Sequence, residues 1–296
     1  MIVLVIGGAG YIGRHVCRAL QETAFAIPAV FDLNINGEVY QNFAADLTDP
    51  QRLANALDAY RPKAIIHLAA HSDVAESVRD PAKYRENVLM AAILAEKAAG
   101  IPTVFASSAA VYGDAGAAWL DEDAPLAPIN PYGQSKVDCE ALLPDAISLR
   151  LFNVVGGDGD EGAHLVPKVL KALAGRGAFM LNGDGSCIRD FVDVEDVAQA
   201  FVLALKAKLK GAPGQSLNVC TGIGRSVTRV IAACEHAAGL RLPGPPPATP
   251  RPGDAARLVG GNARAREVIG WTPTRSLDAS IASARAAIRE EAVAWA

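Results

Sequence analysis

Residues 7–13 have the sequence Gly-Gly-Ala-Gly-Tyr-Ile-Gly and directly follow the apolar run at residues 2–6. The first glycine of the motif, Gly7, permits a tight turn, and Gly10 lets the backbone approach a pyrophosphate. Gly13 lets a helix pack closely against the preceding strand. The free N–H groups at the start of that helix favour anions. The stretch therefore predicts a strand–loop–helix unit that binds the pyrophosphate of a dinucleotide.

Outward from this loop, the first half of the chain alternates short apolar runs with amphipathic stretches. The apolar runs, rich in β-branched residues, are 2–6, 29–31, 64–68, 103–106 and 147–151. The amphipathic stretches are 12–22, 50–60, 82–99 and 135–143. Uniformly apolar strands that alternate with helices form a parallel sheet covered on both faces. The sequence thus predicts an α/β protein with a Rossmann-type doubly wound parallel sheet.

The regular alternation of apolar runs and amphipathic stretches ends after residue 152. Residues 156–160 form a turn-rich Gly-Asp loop, followed by a predicted helix at 165–173. Short strands are predicted at 179–181, 188–194 and 216–219, the last returning to the main sheet, and a proline-rich surface crossing at 244–252. We therefore predict a dinucleotide-binding Rossmann domain over residues 1–152 and a smaller C-terminal substrate-binding lobe over residues 153–296.

The composition narrows the class of protein. Hydrophobic residues make up 51% and charged residues 20% of the 296 residues, which argues against disorder. The net charge of −4 and the absence of a Lys/Arg block give no sign of nucleic-acid binding. The apolar runs are too short for a membrane span, and no basic leader precedes one. The five cysteines are scattered without a C-x-x-C pair, so we expect no metal site, no disulfide framework and a reducing cytoplasm.

Asp32 follows the second apolar run, about twenty residues beyond the glycine loop. A carboxylate at this point accepts hydrogen bonds from the adenosine ribose hydroxyls and repels a 2′-phosphate. The alternative is a turn aspartate among neighbouring asparagines. Because the glycine motif stands upstream, we interpret Asp32 as the residue that selects NAD over NADP.

A second group of residues predicts acid–base chemistry. Ser108 lies at the end of an apolar run, and residues 131–136, Pro-Tyr-Gly-Gln-Ser-Lys, open a helix. Tyr132 and Lys136 are one helical turn apart and share a face. An ammonium beside a phenol, with the positive nicotinamide nearby, lowers the phenol pKa toward neutrality. We predict that Ser108, Tyr132 and Lys136 are catalytic, with Tyr132 as general base for a substrate hydroxyl while hydride passes to NAD.

Further motifs extend the pattern over nearly the whole chain. They are residues 66–70 (Ile-His-Leu-Ala-Ala), 76–78 (Glu-Ser-Val), 149–153 (Leu-Arg-Leu-Phe-Asn), 187–192 (Cys-Ile-Arg-Asp-Phe-Val), 251–254 (Arg-Pro-Gly-Asp) and 270–271 (Gly-Trp). With them the chain resembles the extended short-chain dehydrogenase/reductase family, also described as the NAD-dependent epimerase/dehydratase family, and within it the UDP-glucose 4-epimerases.

This resemblance implies an NAD site and a UDP-sugar site. The implied NAD-binding residues are Gly7, Gly10, Tyr11, Ile12, Gly13, Asp32, Asn34, Asp46, Leu47, Leu68, Ala69, Ala70, Asn87, Ser107, Tyr132 and Lys136. The implied substrate-binding residues are Ser108, Tyr132, Asn153, Leu165, Met180, Asn182, Arg189, Arg251, Asp254 and Leu258. Arg189 and Arg251 are implied to bind the diphosphate, a role that suits guanidinium groups. From the residues alone, Arg189 could equally pair with Asp190, and Arg251 could be a solvated loop residue.

Three positions depart from the pattern of the family. Ser72 stands where many members carry a lysine that approaches the nicotinamide ribose. His164 stands where many carry an asparagine beside the substrate, and Leu258 where a tyrosine often limits the sugar pocket. The chain is also shortened near residues 156–164 and before residues 183–185.

The residues after Ser108 bear on the reaction. Related dehydratases carry an Asp-Glu pair there, and decarboxylases carry a glutamate before the Val-Tyr-Gly sequence, whereas this chain has Ala109 and Ala110. Epimerisation at carbon 4 through a transient 4-keto sugar needs neither carboxylate. The resemblance therefore implies a UDP-glucose 4-epimerase, an isomerase. The alternatives are a 4-epimerase of another UDP-sugar (a uronic acid, pentose or N-acetylhexosamine), a nucleotide-sugar reductase or dehydrogenase, and a catalytically silent NAD-binding sensor.

Small apolar residues in the stretches 82–99 and 135–143 suggest a further interface. They are Ala91, Ala92, Ala95, Ala98 and Ala141. Faces of small residues let helices pack closely, and related enzymes pair through these two helices as a four-helix bundle. We expect a homodimer, although the same residues could simply cover the sheet.

Overall fold

The computed structural model describes residues 1–35, 40–116, 119–160, 164–243, 249 and 252–294, with only the backbone for 289–294. The strands are β1 (Ile2–Ile6), β2 (Ile27–Asp32), β3 (Gln41–Ala44), β4 (Ala64–His67), β5 (Thr103–Ser108), β6 (Ile147–Leu151), β7 (Asn153–Val155), β8 (Ile188–Asp193), β9 (Gln215–Val219), β10 (Gly224–Ser226) and β11 (Arg257–Leu258). The α-helices are α1 (Tyr11–Glu22), α2 (Pro50–Tyr60), α3 (Val74–Arg79), α4 (Arg85–Lys97), α5 (Pro131–Leu142), α6 (Leu165–Leu173), α7 (Val194–Leu209), α8 (Val227–Ala238), α9 (Ala263–Ile269) and α10 (Leu277–Ala294). A 3-10 helix covers Ala109–Tyr112.

The main sheet has seven strands in the order β3-β2-β1-β4-β5-β6-β9. Every neighbouring pair is parallel. The strand order reverses between β1 and β4, so the loops that follow these strands diverge and leave a crevice at their carboxyl ends. The predicted Rossmann-type fold is confirmed, and the strand predicted over residues 216–219 does pair with β6.

Both faces of this sheet are covered by helices, as the apolar strands require. Val3 and Val5 of β1 belong to a core cluster that includes residues of α1 and α7. Leu4 and Ile6 point the other way, into a cluster that includes residues of α2, α4 and α5. Successive side chains of a strand alternate between the two faces. A uniformly apolar strand therefore contributes to two cores at once.

A smaller sheet lies beside the main one and carries part of the site. β8 is its central strand, with β10 antiparallel and β11 and β7 parallel to it. Helices α6, α8 and α10 pack with this sheet around a third core cluster. In this sheet Leu258 of β11 is in register with Arg189 of β8.

Several predicted elements need correction. The strand predicted over 179–181 is wrong, because that segment has no strand and Met180 is 60% exposed. Glycines with positive φ at Gly177 and Gly183 bend the chain on both sides of it. The helix predicted from residue 82 begins only at Arg85, after a turn. Most of the predicted crossing at 244–252 lies outside the described residues, and the domain boundary at residue 152 stays a prediction.

Two further observations bear on composition. All five cysteines are free, and the four at Cys17, Cys139, Cys220 and Cys234 are buried. Among the residues that the structure describes, no helix has both the length and the apolar character needed to cross a membrane.

Candidate active site

The glycine loop between β1 and α1 is built so tightly that side chains do not fit. Gly7 has a φ of +82°, and a Cβ there would lie 2.5 Å from the backbone nitrogen of Ala69. A Cβ on Gly13 would lie 2.1 Å from the carbonyl oxygen of Gly7. A Cβ on Gly10 would meet only that same oxygen, at 3.4 Å. The first and third glycines are thus required by the protein itself, and the second leaves space in front of the loop.

The start of α1 fits an anionic group. No side chain caps the helix at Gly10, and its first turn contains no acidic residue. The backbone N–H groups and the helix dipole therefore favour a phosphate. Asp32 lies at the end of β2, and its Oδ2 accepts a hydrogen bond from the backbone nitrogen of Ala9 at 3.0 Å. This hydrogen bond fixes Asp32 beside the glycine loop, the position from which it is predicted to contact the adenosine ribose.

The carboxyl end of β5 meets the beginning of α5. Asn130 caps α5 by accepting a hydrogen bond from the Gly133 backbone nitrogen at 2.7 Å, and proline occupies the first helical position. Tyr132 and Lys136 follow on one face of α5. The Lys136 ammonium donates to the carbonyl oxygen of Ala106 in β5 at 2.8 Å. Ser108 ends the same strand, and its Oγ accepts from the Ala110 backbone nitrogen at 3.1 Å. Asn130, Pro131 and β5 thus bring the serine, tyrosine and lysine together.

Burial shifts the pKa values of the tyrosine and the lysine in this group. Burial raises the pKa of Tyr132, and a side-chain hydrogen bond with Ser108 opposes that rise. Burial lowers the pKa of Lys136 to about 8. The Lys136 nitrogen lies over the Tyr132 ring, 5.9 Å from its centre. The predicted lowering of the phenol pKa also depends on the positive nicotinamide of a bound cofactor, so it stays a prediction.

A cavity of about 620 Å³ opens at the carboxyl ends of β1, β4, β5 and β6. Its volume is typical of a small-molecule or cofactor site. Most residues predicted for the site line it. They are Gly7, Gly10, Tyr11, Ile12, Gly13, Asp32, Asp46, Leu68, Ala69, Ala70, Ser107, Ser108, Tyr132, Lys136, Asn153, Arg189, Asp254 and Leu258. Residues from both halves of the chain therefore share one cavity.

Arg189 contributes a cation to this cavity without a carboxylate partner among the described residues. The residue is 8% exposed, and one guanidinium nitrogen donates to the carbonyl oxygen of the preceding residue, Ile188, at 2.9 Å. The sequence left open a pairing with Asp190. Instead Asp190 accepts from the backbone and hydroxyl of Thr221 and from the backbone of Gly222. The charge of Arg189 is thus available to an anion.

Some predicted residues lie elsewhere. Asn87 is buried, and its amide donates to the carbonyl of His71 and to the Ser135 hydroxyl while accepting from the His71 backbone nitrogen. It holds the loop after β4 rather than lining the cavity. The other predicted residues outside the lining are Asn34, Leu47, Leu165, Met180 and Asn182. Arg251 lies outside the described residues. The binding roles of all these residues stay predictions.

Other lining residues were not predicted. They are Leu33, Thr48, His71, Val74, Glu86, Met90, Ala106, Gly113, Ile129, Asn130, Leu151, Phe152, Val154, Gly253 and Ala255. The Asn-Pro pair at a helix start could have revealed Asn130, whose amide also donates to the carbonyl of Gly253 at 3.0 Å. His164, noted for its departure from the pattern, lines the cavity and pairs with Asp160 at 3.0 Å.

Fold and geometry together define a class: a Rossmann enzyme built for a dinucleotide, with a tyrosine and a lysine that line the cavity from the helix after the Ser-Ser strand end. Comparison with known proteins gives a narrower assignment. Residues 3–220 match the NAD dependent epimerase/dehydratase family, and the chain belongs to that family.

Known UDP-glucose 4-epimerases are similar to this protein over nearly the whole chain. A UDP-glucose 4-epimerase of Rhizobium meliloti is 36% identical over 327 aligned positions, which cover 99% of this chain and 96% of the relative. The crystal structure of the Bifidobacterium longum UDP-glucose 4-epimerase in complex with NAD+ and UDP has a TM-score of 0.90 and 27% identity, covering 99% of both chains. The UDP-Glc/GlcNAc 4-epimerase of Campylobacter jejuni has a TM-score of 0.83 and 30% identity, covering 98% of this chain and 99% of that one.

Proposed function

We propose that this protein is an NAD-dependent UDP-glucose 4-epimerase, an isomerase that interconverts UDP-glucose and UDP-galactose. The observation that carries the proposal is that Ser108, Tyr132 and Lys136 line one cavity. The two residues that follow Ser108 in the sequence are alanines. This arrangement supplies one acid–base group for oxidation at carbon 4 and no added carboxylate at that point for elimination. The names of the relatives support the same reaction.

The residues present fit NAD. The uncapped start of α1 suits the pyrophosphate, and Asp32 suits the adenosine ribose. Asp46 lines the same end of the cavity and is assigned to the adenine side, while the backbone after β4, at Leu68 and Ala69, borders the cofactor path. When bound, NAD supplies the hydride acceptor and a positive ring that favours the phenolate of a nearby tyrosine.

Tyr132 then acts as the general base. Its phenol, whose pKa the neighbouring Ser108 hydroxyl lowers against the effect of burial, takes the proton from the 4-hydroxyl of the sugar while carbon 4 loses hydride. The resulting 4-keto sugar turns about its phosphate link and presents its other face. Once bound NAD returned the hydride to carbon 4, Tyr132 would give the proton back to the oxygen. The reaction balances without net redox change, so the cofactor need not leave.

The substrate is held at the other end of the cavity. Arg189 is assigned to the diphosphate because its buried charge has no carboxylate partner among the described residues. Arg251 is assigned a second diphosphate contact on the resemblance alone. Asp254, which also lines the cavity, is assigned to the uridine ribose, and Asn153 to the phosphates. Anchoring the nucleotide in this way leaves the sugar free to pivot.

The test is incubation of the purified protein with UDP-glucose and with UDP-galactose, followed by chromatographic separation of the products. We expect each sugar to yield the other, with no accumulation of reduced cofactor. Reduced cofactor formed in proportion to product would instead indicate a dehydrogenase. Binding of NAD without any product from a panel of UDP-sugars would indicate the silent sensor.

One observation favours a broader substrate range. Leu258 lines the cavity in register with Arg189, at a position where the family often carries a tyrosine. Leucine lacks the ring and leaves more volume beside the hexose. We propose additional activity on UDP-N-acetylglucosamine, the activity that the name of the Campylobacter jejuni enzyme includes.

We also propose that the protein is a cytoplasmic homodimer. Its free cysteines suit a reducing compartment. Ala91 and Ala98 of the α4 region are buried and cover the sheet, so these two do not form the expected interface. Leu89 of α4 and Leu142 of α5 are, however, 47% and 37% exposed. These leucines, rather than the buried alanines, are the apolar contacts that a second copy would cover.

A further inference from the structure

A buried ion pair stands behind the catalytic group. Arg150 of β6 binds Glu140 of α5 through two hydrogen bonds, Nε to Oε1 at 3.0 Å and Nη2 to Oε2 at 2.7 Å. The two side chains are only 6% and 11% exposed. Replacing such a pair by apolar residues is often neutral for stability, so burial alone does not explain why a fold retains it. The other hydrogen bonds of the pair indicate what it does.

Glu140 links its helix to three strands. Besides Arg150 on β6, its Oε1 accepts from the Ser107 hydroxyl of β5 at 2.5 Å. Its Oε2 accepts from the Ser216 hydroxyl of β9 at 3.1 Å. Glu140 lies one helical turn after Lys136 and two turns after Tyr132, on the same face of α5. The helix that carries the tyrosine and lysine is therefore fastened directly to the strand end that precedes Ser108.

Arg150 holds the other end of the serine segment. Its Nη1 donates to the phenol oxygen of Tyr112 at 2.9 Å and to the carbonyl oxygen of Glu122 at 3.2 Å. Burial raises the pKa of Tyr112 to about 12, so its hydroxyl stays protonated and donates to Asn218 Oδ1 at 2.7 Å. Tyr112 ends the 3-10 helix that begins just after Ser108. The segment 107–112 is thus bonded to the ion pair on both sides of Ser108.

We propose that Glu140, paired with Arg150, is a positioning residue for catalysis: through Ser107 it sets where the Ser108 hydroxyl lies relative to Tyr132 and Lys136. The proposal rests on the proposed epimerase function. Acid–base groups must hold their geometry closely, and rigid supporting hydrogen bonds are what maintain it. The competing explanation is that the pair only stabilises the fold.

Two serines make a matched test, because each donates to one oxygen of the same carboxylate. Ser107→Ala removes the hydrogen bond that leads to Ser108. Ser216→Ala removes the hydrogen bond from β9, which carries none of the catalytic residues. Both variants keep the Glu140–Arg150 pair, so neither leaves a buried charge without its partner. Replacing Glu140 itself would do so and would risk unfolding.

The measurements are kcat and KM for UDP-glucose, NAD affinity, the melting temperature, and hydrogen exchange of the peptide covering residues 103–112. For Ser107→Ala we expect kcat to fall roughly ten- to a hundredfold at saturating NAD, the effect of a small misplacement at a catalytic centre, with KM for UDP-glucose unchanged. NAD affinity is measured separately because Ser107 is also a predicted NAD-binding residue. Exchange in the peptide should accelerate. For Ser216→Ala we expect kcat and exchange in this peptide to match the wild type.

Equal losses of kcat in the two serine variants would overturn the proposal, since the carboxylate would then act through stability alone. A wild-type kcat in Ser107→Ala would overturn it as well. If the wild type converts no UDP-sugar, the proposed function fails separately, and hydrogen exchange decides the positioning role. Faster exchange in Ser107→Ala alone supports that role, and equal exchange in the two variants overturns it.

Discussion

Replacing Gly13 by alanine tests why the glycine loop has its spacing. The new methyl group would lie 2.1 Å from the Gly7 carbonyl oxygen and 2.7 Å from the Gly8 Cα. Both are backbone atoms, so neither can rotate away. Gly10→Ala is the matched control, because its methyl group would meet only the Gly7 oxygen, at an ordinary 3.4 Å.

The expected magnitudes differ for the two variants. Overpacking against rigid atoms costs about 3 kcal/mol, and alanine regains about 1 kcal/mol of helix propensity at Gly13, so the net loss is about 2 kcal/mol. The entropy of unfolding is about 2.1 cal/mol/K per residue, or about 0.6 kcal/mol/K for 296 residues. Gly13→Ala should therefore lower Tm by about 3 °C or more. Gly10→Ala stands at the helix cap and should cost less than about 1 kcal/mol.

For NAD affinity we expect the larger loss in Gly10→Ala, the variant that loses less stability. The methyl group of Gly10→Ala would stand between the loop backbone and the pyrophosphate, and should weaken NAD binding at least about tenfold, or 1.4 kcal/mol. Thermal melts by circular dichroism and calorimetry with NAD on cofactor-free protein measure the two effects. An unchanged Tm in Gly13→Ala, or wild-type NAD affinity in Gly10→Ala, would refute the reasoning.

Four further expectations follow from the site. Tyr132→Phe should lose at least about a hundredfold in kcat, since an acid–base group is removed, while calorimetry shows NAD still bound; near wild-type turnover would remove Tyr132 from the mechanism. Asp32→Ala should narrow a preference for NAD over NADP, because the ribose contact and the repulsion of the 2′-phosphate are both lost; tighter binding of NADP by the wild type, measured on cofactor-free protein, would contradict this. Leu258→Tyr should suppress activity on UDP-N-acetylglucosamine more than on UDP-glucose, by about 1–3 kcal/mol in kcat/KM; an unchanged ratio would leave Leu258 as a packing residue. Light scattering at micromolar concentration should show a dimer, and Leu89→Glu should shift it toward monomer; a monomeric wild type would reject the interface.

The elements that the sequence predicted correctly are those with strong local signals. The apolar strands β1, β4 and β6 and helix α2 match their predicted bounds within a residue. β7 and β11 were missed because they have three and two residues, too few for any period to show. The strand predicted at 179–181 was wrong because a short apolar run there faces solvent at Met180. Pattern alone does not reveal which face a three-residue run presents.

The residues of the site also differ in how far the sequence predicts them. The glycine loop, Ser108, Tyr132 and Lys136 were predictable because their spacing follows from a turn or a helical period. Glu140 carried no signal in the sequence, where it is one glutamate in an amphipathic helix. Its importance follows from partners on three strands that only the folded sheet brings together.

The sequence by itself determined the class of fold and the family, and it singled out the acid–base candidates, because local spacing dictates strand, loop and helix, and these motifs lie within short segments. The tertiary structure decided what depends on distant parts of the chain. Within the described part of the chain it left Arg189 without a carboxylate partner by engaging Asp190 elsewhere, and it raised the pKa of Tyr132 by burying the phenol. Burial and contacts between residues distant in the sequence arise only when the sheet is assembled, so no local sequence pattern predicts them.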